Sequence, residues 1–431
     1  MYRKITAFLE AWKKNQYRKP LVLQGARQVG KTYSVLEFGR INYENVAYFN
    51  FETNPKLNRT FEENISPDYL IPILSHISGQ TIVKEKTLII FDEVQLCERA
   101  LTSLKYFCED APDYHIIVAG SLLGVAVNRA KFSFPVGKVD MKTMYPMDME
   151  EFMIAMGEEK LATQVRQCFE TNTAMPSALH DAAMQLYRQY LVVGGMPECV
   201  LQFAQTRDYI LIRNTQDTIL ASYLNDMSKY NNLNEIKKTR LAYDNITVQL
   251  SKKNTRFQYK LIKKGGRASE FENAIEWLCL SGIVSQVYRI EQIKKPLENY
   301  RDIDAFKIYV SDLGLLCAKK DLSANDILYM AEELNDFKGG MAENYVNVQL
   351  SINGYHTYYW ESARGAEIDF VIQRNEQLIP IEVKSADNTR AKSLKVYMET
   401  YDPEYAIKLS AKNFAFEDNK KTVPLYAAFC I

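Results

Sequence analysis

Residues 21–32, LVLQGARQVGKT, together with residues 87–93, TLIIFDE, decide the fold. The first stretch fits the phosphate-loop pattern G-x-x-x-x-G-K-[ST] at every fixed position, through Gly25, Gly30, Lys31 and Thr32. With average residue usage, a chance match in a chain of this length is on the order of one or two per cent. The short apolar run Leu21–Leu23 precedes the loop, and Thr32–Phe38 reads as a helix after it. That is the strand–loop–helix setting the motif requires. Glycines let the backbone curl so that successive N–H groups face phosphate oxygens. The helix that follows turns its positive end to the same anion.

The residue types then assign roles. Gly25, Ala26, Arg27, Gln28, Val29, Gly30, Lys31, Thr32 and Tyr33 form the expected nucleotide cradle. Lys31 reaches the β- and γ-phosphates of ATP, and Thr32 supplies a hydroxyl to Mg²⁺. The second stretch is an apolar strand ending in Asp92-Glu93. Asp92 is expected near Mg²⁺ through water, because Mg²⁺ keeps several waters. Glu93 is expected to orient or deprotonate the attacking water. Strands are predicted at Leu21–Gln24, Asn45–Phe51, Thr87–Phe91 and His115–Gly120, alternating with helices. An α/β fold with a parallel sheet and helices on both faces follows over residues 1–150. Ser121, at the end of the last of these strands, is either a sensor of the γ-phosphate or water, or a helix N-cap.

The chain has 431 residues, so two to four domains are expected. Apolar content of 47% and charged content of 25% are ordinary for globular protein. The formal net charge is zero, so any nucleic-acid contact must come from a local patch. Seven scattered cysteines without C-x-x-C suggest reduced thiols in a cytoplasmic protein. The four histidines give no zinc pattern. The N-terminal 20 residues read as a charged amphipathic helix without the apolar core of a signal peptide. No run approaches the roughly 18 apolar residues of a membrane span.

Residues 151–235 read as a helical lid, opened by a capping box at Asp148–Glu151 and interrupted by the turn signal Val193–Pro197. Arg129 and Lys138 are candidate cationic sensors, with solvated surface charge as the alternative. Residues 236–325 read as a winged-helix domain: a basic stretch, a Gly265-Gly266 turn, a helix over 268–280 and two strands. Lys252, Lys253, Arg256, Lys260, Lys263, Lys264 and Arg267 suggest contacts to DNA phosphates. Glu270, Glu272 and Glu276 on the following helix oppose groove entry, and protein contact is the alternative.

Residues 326–431 hold a second constellation. A helix over Phe337–Leu350 contains Glu343, and two adjacent strands carry Asp369 and the pair Glu382-x-Lys384. Residues two apart on a strand share a face. The carboxylates interrupt apolar runs, where an unpaired charge is costly to bury. Glu343, Asp369 and Glu382 as ligands of Mg²⁺, with Lys384 assisting an attacking water, would suit phosphodiester cleavage. Ion pairs on a hairpin are the alternative.

GARQVGKT, LIIFDEVQ, VAGSLLG, SFPVGKVDMKTMYPMDMEEF, YLVVGGMPE, FKIYVSDLGLL and YYWESARGAEIDFVI with PIEVKS resemble the landmarks of prokaryotic AAA-superfamily ATPases. In these, the ATPase is fused to a C-terminal domain of unknown function with a PD-(D/E)XK nuclease-like, restriction-endonuclease-like fold. The resemblance covers almost the full length. It implies ATP binding and hydrolysis through Lys31, Thr32, Asp92 and Glu93. It also implies a nuclease-like site at Glu343, Asp369, Glu382 and Lys384. Where many relatives carry Gly-Arg before the lid, this chain has Gly137-Lys138. Two functions follow as expectations. One is ATP turnover coupled to DNA binding or metal-dependent DNA cleavage. The other is an ATP-dependent signalling or defence switch, with a protein partner or a second copy of itself, whose C-terminal domain contacts but does not cut. A metabolic kinase fits less well, because Glu93 after Asp92 favours water as the acceptor.

Overall fold

A computed structural model of the chain describes residues 1–125, 134–229, 232–250, 256–385 and 392–431. Two compact units emerge. The first comprises Met1–Tyr145 with Leu280–Gly282, and the second Pro146–Cys279 with Ile283–Ile431.

In the first unit, five strands are β1 (Leu21–Gln24), β2 (Asn45–Asn50), β3 (Thr87–Asp92), β4 (His115–Ala119) and β5 (Asp140–Thr143). They form one sheet in the order β2-β3-β4-β1-β5, with every neighbouring pair parallel. β3 and β4 are buried along their whole length, which explains their near-continuous apolar sequences. Val22, Phe49, Ile89, Phe91 and Val118 pack with Phe51, Phe61 and Leu104 in one core cluster. Phe61 meets Phe91 edge-on at 5.6 Å between ring centroids. The N-terminal helix Ile5–Lys14 buries Ile5, Leu9 and Trp12. The four strands expected from sequence are present, but β5 lies in a stretch with no strand expectation. Its sequence Asp-Met-Lys-Thr lacks apolar alternation, and its ladder to β1 holds it at the sheet edge.

The second unit begins with helices Met149–Ala155, Glu159–Thr171, Ser177–Val193, Pro197–Thr206 and Tyr209–Lys229. The capping box forms: Asp148 Oδ1 accepts from Glu151 N at 2.8 Å and Glu151 Oε2 from Asp148 N at 3.2 Å. Helices Leu233–Leu250 and Ala268–Leu280 follow, the latter burying Phe271, Ile275 and Leu278. The strands are β6 (Val284–Ile290), β7 (Arg301–Val310), β8 (Tyr358–Glu361), β9 (Glu367–Arg374), β10 (Gln377–Val383), β11 (Ala406–Ser410), β12 (Ala415–Glu417) and β13 (Lys420–Pro424). All eight belong to one sheet ordered β12-β13-β11-β10-β9-β8-β6-β7.

The β6–β7 hairpin, expected as part of a winged-helix domain over 236–325, shares a sheet with the C-terminal strands. β6 pairs in parallel with β8, so the hairpin extends the C-terminal sheet across the boundary expected at residue 326. Only the tertiary pairing of distant segments fixes this, and local patterning is blind to it. The β9–β10 hairpin turns through Asn375 (φ 44°) and Glu376 (φ 71°), both left-handed, as a two-residue hairpin turn demands.

All seven cysteines are free, and five are buried. Among the described residues, no helix is long and apolar enough to cross a membrane.

The Gly194-Gly195 turn illustrates a backbone requirement. Gly194 ends the helix Ser177–Val193 at φ 75°, ψ −167°, a region open essentially to glycine. A Cβ there would sit 2.3 Å from Asp312 Oδ1. Asp312 in turn accepts N–H bonds from Gly195 at 2.6 Å and Leu315 at 2.8 Å, capping the helix Leu313–Lys319. We expect Gly194→Ala to destabilise the second unit by about 1–3 kcal/mol, seen as a lower urea midpoint, because it adds both backbone strain and a clash.

Candidate active site

Parallel order places the C-terminal ends of β1, β4 and β3 side by side, so the loops that leave them share one edge of the sheet. After β1 the backbone curls through Gly25 (φ 142°), Gln28 (φ 66°) and Gly30 (φ 88°). Gly25 is required, because a Cβ would lie 2.1 Å from the Met144 carbonyl oxygen. Gly30 starts the helix Lys31–Asn42. Ala26 and Val29 are buried and anchor the loop, while Tyr33 is exposed on the first helical turn. Arg3 braces the loop from behind, donating to the Val29 carbonyl at 2.9 Å and the Tyr145 carbonyl at 2.8 Å.

The Lys31 ammonium lies inside the curl. It donates to the carbonyl oxygens of Gly25 and Ala26, both at 2.7 Å. Thr32 Oγ1 donates to Asp92 Oδ2 at 3.0 Å, so the hydroxyl and carboxylate expected to serve Mg²⁺ are adjacent. That donor set fits a hard, oxygen-seeking cation that keeps waters and phosphate oxygens as its other ligands. Tyr48 OH also donates to Asp92 Oδ2, at 2.7 Å, and burial raises its phenol pKa to about 12.

Glu93 adopts a left-handed conformation (φ 52°) directly after Asp92. Burial pushes its carboxyl above the ordinary value, and the Asp92 charge adds to this, against the hydrogen bond from Gln95 Nε2. A raised carboxyl is better matched to accepting a proton near neutral pH. Gln95 also packs on the end of β4: a Cβ on Gly120 would lie 2.0 Å from Gln95 Oε1. Ser121 follows, buried, in the turn after β4, the strand between those that carry the two motifs. Lys138 is occupied elsewhere, pairing with Glu109 at 2.8 Å on a half-exposed surface. That pairing is the surface charge given as the alternative to a sensor. Arg129 lies outside the described residues.

The C-terminal constellation is built on the second unit's sheet. Glu382 and Lys384 share a face of the β10 end, as their spacing requires, with Lys384 Nζ 2.7 Å from Glu382 Oε1. Asp369 on β9 accepts the Val383 N–H at 2.7 Å. Glu343, on the helix Asn335–Ile352, accepts from Tyr309 OH at 2.9 Å and pairs with Lys307 at 3.3 Å. Lys307 also pairs with Glu367 at 2.5 Å and lies 5.1 Å from the Tyr359 ring centroid. Burial pushes Asp369 up to about 7, reinforced by Glu343 and opposed by Lys307 and Lys384. Burial disfavours the Lys384 charge, yet Asp369 and Glu382 outweigh it, and its ammonium is held above the usual lysine value. Glu343, Asp369 and Glu382 were expected to converge on Mg²⁺. Among the described residues, no three His, Cys, Asp or Glu side chains group as a metal site. Each carboxylate engages a cation, a hydroxyl or a backbone N–H through one of its two oxygens.

Tyr48, Gln95 and Lys307 have no counterpart among the sequence expectations. Lys307 had a usable signal: it interrupts the apolar run Phe306–Val310, the same feature that singled out Asp369.

Comparison with known proteins bears on the first unit. Residues 17–153 match the family model described as an AAA domain. Residues 184–326 and 338–428 match models described as domains of unknown function, DUF8612 and DUF4143. No curated protein matches the chain. Three solved structures are distantly similar. The Walker-type ATPase of Pyrococcus abyssi is 13% identical, with a TM-score of 0.43 over 73% of this chain and 94% of that one. The ORC2 protein of Aeropyrum pernix is 10% identical, with a TM-score of 0.36 over 79% and 95%. The RuvB Holliday junction branch migration motor of Thermotoga maritima is 14% identical, with a TM-score of 0.29 over 65% and 87%. The α/β assignment of the first unit stands on its own sheet order and phosphate loop.

The raised Asp369 carboxyl has a consequence for stability. Its folded pKa of about 7 lies above the ordinary 3.8, so the folded state binds the proton more tightly. This favours folding below the ordinary pKa and is lost as pH rises through about 7. Asp369→Asn should therefore flatten the fall in melting temperature between about pH 4 and 7, relative to wild type.

Proposed function

We propose that the chain binds ATP at residues 25–33 and hydrolyses it, using the cycle as a switch for the second unit. The observation that supports this best is the Lys31 ammonium held inside the loop by two carbonyls, beside the Thr32–Asp92 hydrogen bond. Loop N–H groups receive phosphate oxygens, and Lys31 exchanges its carbonyl partners for the β- and γ-phosphates. Thr32 and Asp92 would hold Mg²⁺, which supplies charge neutralisation on the phosphates when bound. Glu93 accepts the proton of the attacking water, and Gln95 sets its orientation. Ser121 faces the same edge and is the candidate sensor of the leaving phosphate.

DNA is the partner best supported for the second unit. Lys260, Lys263, Lys264 and Arg267 are exposed around the Gly265-Gly266 turn. Lys263 is paired with Glu270 at 2.9 Å, which leaves Lys264 and Arg267 as the stronger candidates for phosphate contact. Lys252 and Lys253 lie outside the described residues. A second reading, a signalling switch whose C-terminal sheet contacts a protein partner or a second copy, is favoured by the ion pairs that Glu343 and Glu382 make with Lys307 and Lys384. Metal-dependent cleavage draws its support from the Glu382–Lys384 pair and the raised Asp369 carboxyl.

Kinetic and binding measurements separate these roles. Lys31→Ala should weaken ATP binding strongly, read by titration calorimetry. Glu93→Gln should keep ATP bound but hydrolyse it at least ~100-fold more slowly, the scale of losing a positioned base. Normal turnover in Glu93→Gln would remove its assigned role. For DNA, the double change Lys264→Ala with Arg267→Ala should reduce the slope of log affinity against log salt by about 2. An unchanged slope would shift the partner from DNA to protein.

A further inference from the structure

We infer that a pocket at one end of the C-terminal sheet, walled by Arg374 and Lys421, binds a small phosphate monoester. The inference goes beyond the nucleotide reading and does not depend on it.

Topology builds the pocket. β10, β11 and β13 run parallel to one another and β9 runs against β10, so the C-terminal end of β9 meets the N-terminal ends of the other three. Arg374 ends β9 and pairs in register with Gln377, which starts β10. Tyr405 immediately precedes β11, and Lys421 is the second residue of β13. The last turn of the helix Glu159–Thr171 adds Phe169 and Glu170 to the wall. Together they line a cavity of about 370 Å³, a size that suits a small organic ligand.

Two cations meet there without a countercharge. Among the described residues, neither Arg374 nor Lys421 makes an ion pair with a carboxylate. Lys421 Nζ donates to the Phe169 carbonyl at 2.7 Å and lies 3.5 Å from the centroid of the Phe169 ring. A helix-end carbonyl and a ring face offer partial charge only. The Arg374 guanidinium is hydrogen-bonded to Tyr405. Burial pushes the Lys421 ammonium down to about 8, and Arg374 adds to this, against smaller opposing effects of Cys430 and Glu170. An arriving anion relieves that repulsion. Glu170 is the one carboxylate on the wall, and it is exposed to screening water. Glu376, in the neighbouring turn, is paired with Lys295 at 3.0 Å.

The charge count selects the ligand. A phosphate monoester carries about −1.5 to −2 at pH 7, which matches one guanidinium and one ammonium, whereas a carboxylate matches only one of them. The guanidinium fork also fits two phosphate oxygens at once. The Asn375 and Gln377 amides and the Tyr405 ring are then left to the organic part of the ester.

Phenyl phosphate tests this, titrated by calorimetry at pH 8 into the full chain carrying Lys31→Ala, so that the phosphate loop does not compete. Saturable one-to-one binding is expected. Titrations in two buffers of different ionisation enthalpy should show uptake of about half a proton, because the bound dianion keeps Lys421 charged. Adding Lys421→Gln should weaken binding at least ~10-fold and remove the proton uptake, and adding Arg374→Gln should weaken it to the same degree. Phenyl sulfate, with a single charge, should bind at least ~10-fold more weakly than phenyl phosphate. No saturable binding, or affinity unchanged in both variants, would overturn the inference. So would a thymidine oligonucleotide that displaces phenyl phosphate and loses affinity in Arg374→Gln, which would assign the pocket to nucleic-acid phosphates. If Lys421→Gln does not fold, Arg374→Gln, at a strand end beside a turn, decides alone. ATP turnover plays no part in the readout, so failure here is distinguishable from failure of the ATPase assignment.

Discussion

Parallel pairing of β1, β4 and β3 makes three loops leave the sheet at one edge, and the chemistry of the first unit depends on that constraint. The phosphate loop follows β1, Ser121 follows β4, and Asp92 with Glu93 ends β3. Because β4 lies between the other two, Glu93 is separated from Lys31 by the width of a strand. The apolar burial of β3 and β4 supports the site directly: each fully buried Ile or Phe contributes about 1.5–3 kcal/mol toward keeping these strand ends in register. Charge then tunes the edge. Lys31 fills the loop, and Asp92 is satisfied by Thr32 and Tyr48. Glu93 is left partly buried with a raised carboxyl.

The second unit solves a different electrostatic problem. It buries charges on β7, β9, β10 and a helix, and it does so by pairing them. Removing one partner of such a set leaves an uncompensated buried charge, which typically costs about 3–5 kcal/mol. The pairing therefore fixes how the β6–β7 hairpin joins the strands that follow it. Asp312 performs a similar task near the Gly194-Gly195 turn, where N–H donors hold a carboxyl that burial raises to about 6. These internal ion and hydrogen-bond sets are positional devices. Their residue types are also those of a metal site.

Much of the first unit was legible in sequence because its signals are local. A glycine-rich loop after an apolar run and an acidic pair after another need only a few residues each. The edge strand β5 was not legible, since Asp-Met-Lys-Thr has no strand alternation and is held by its neighbour alone. In the second unit, the helices, the capping box at Asp148 and the Glu382–Lys384 face followed from spacing. The union of β6 with β8 did not, because the pairing joins residues some 70 positions apart. Lys307 carried a local signal in the run Phe306–Val310, but its partners Glu343 and Glu367 lie on segments that only the folded sheet brings near.

The most direct measurement is simultaneous assay of ATP turnover and DNA integrity. The purified chain would be incubated with single-stranded, duplex and branched DNA, with Mg²⁺ or Mn²⁺, with and without ATP. An ATP-driven switch whose C-terminal sheet only makes contacts hydrolyses ATP and leaves every DNA intact. Cutting by wild type that disappears in Lys384→Ala would contradict it, and would make the C-terminal cluster a nuclease site.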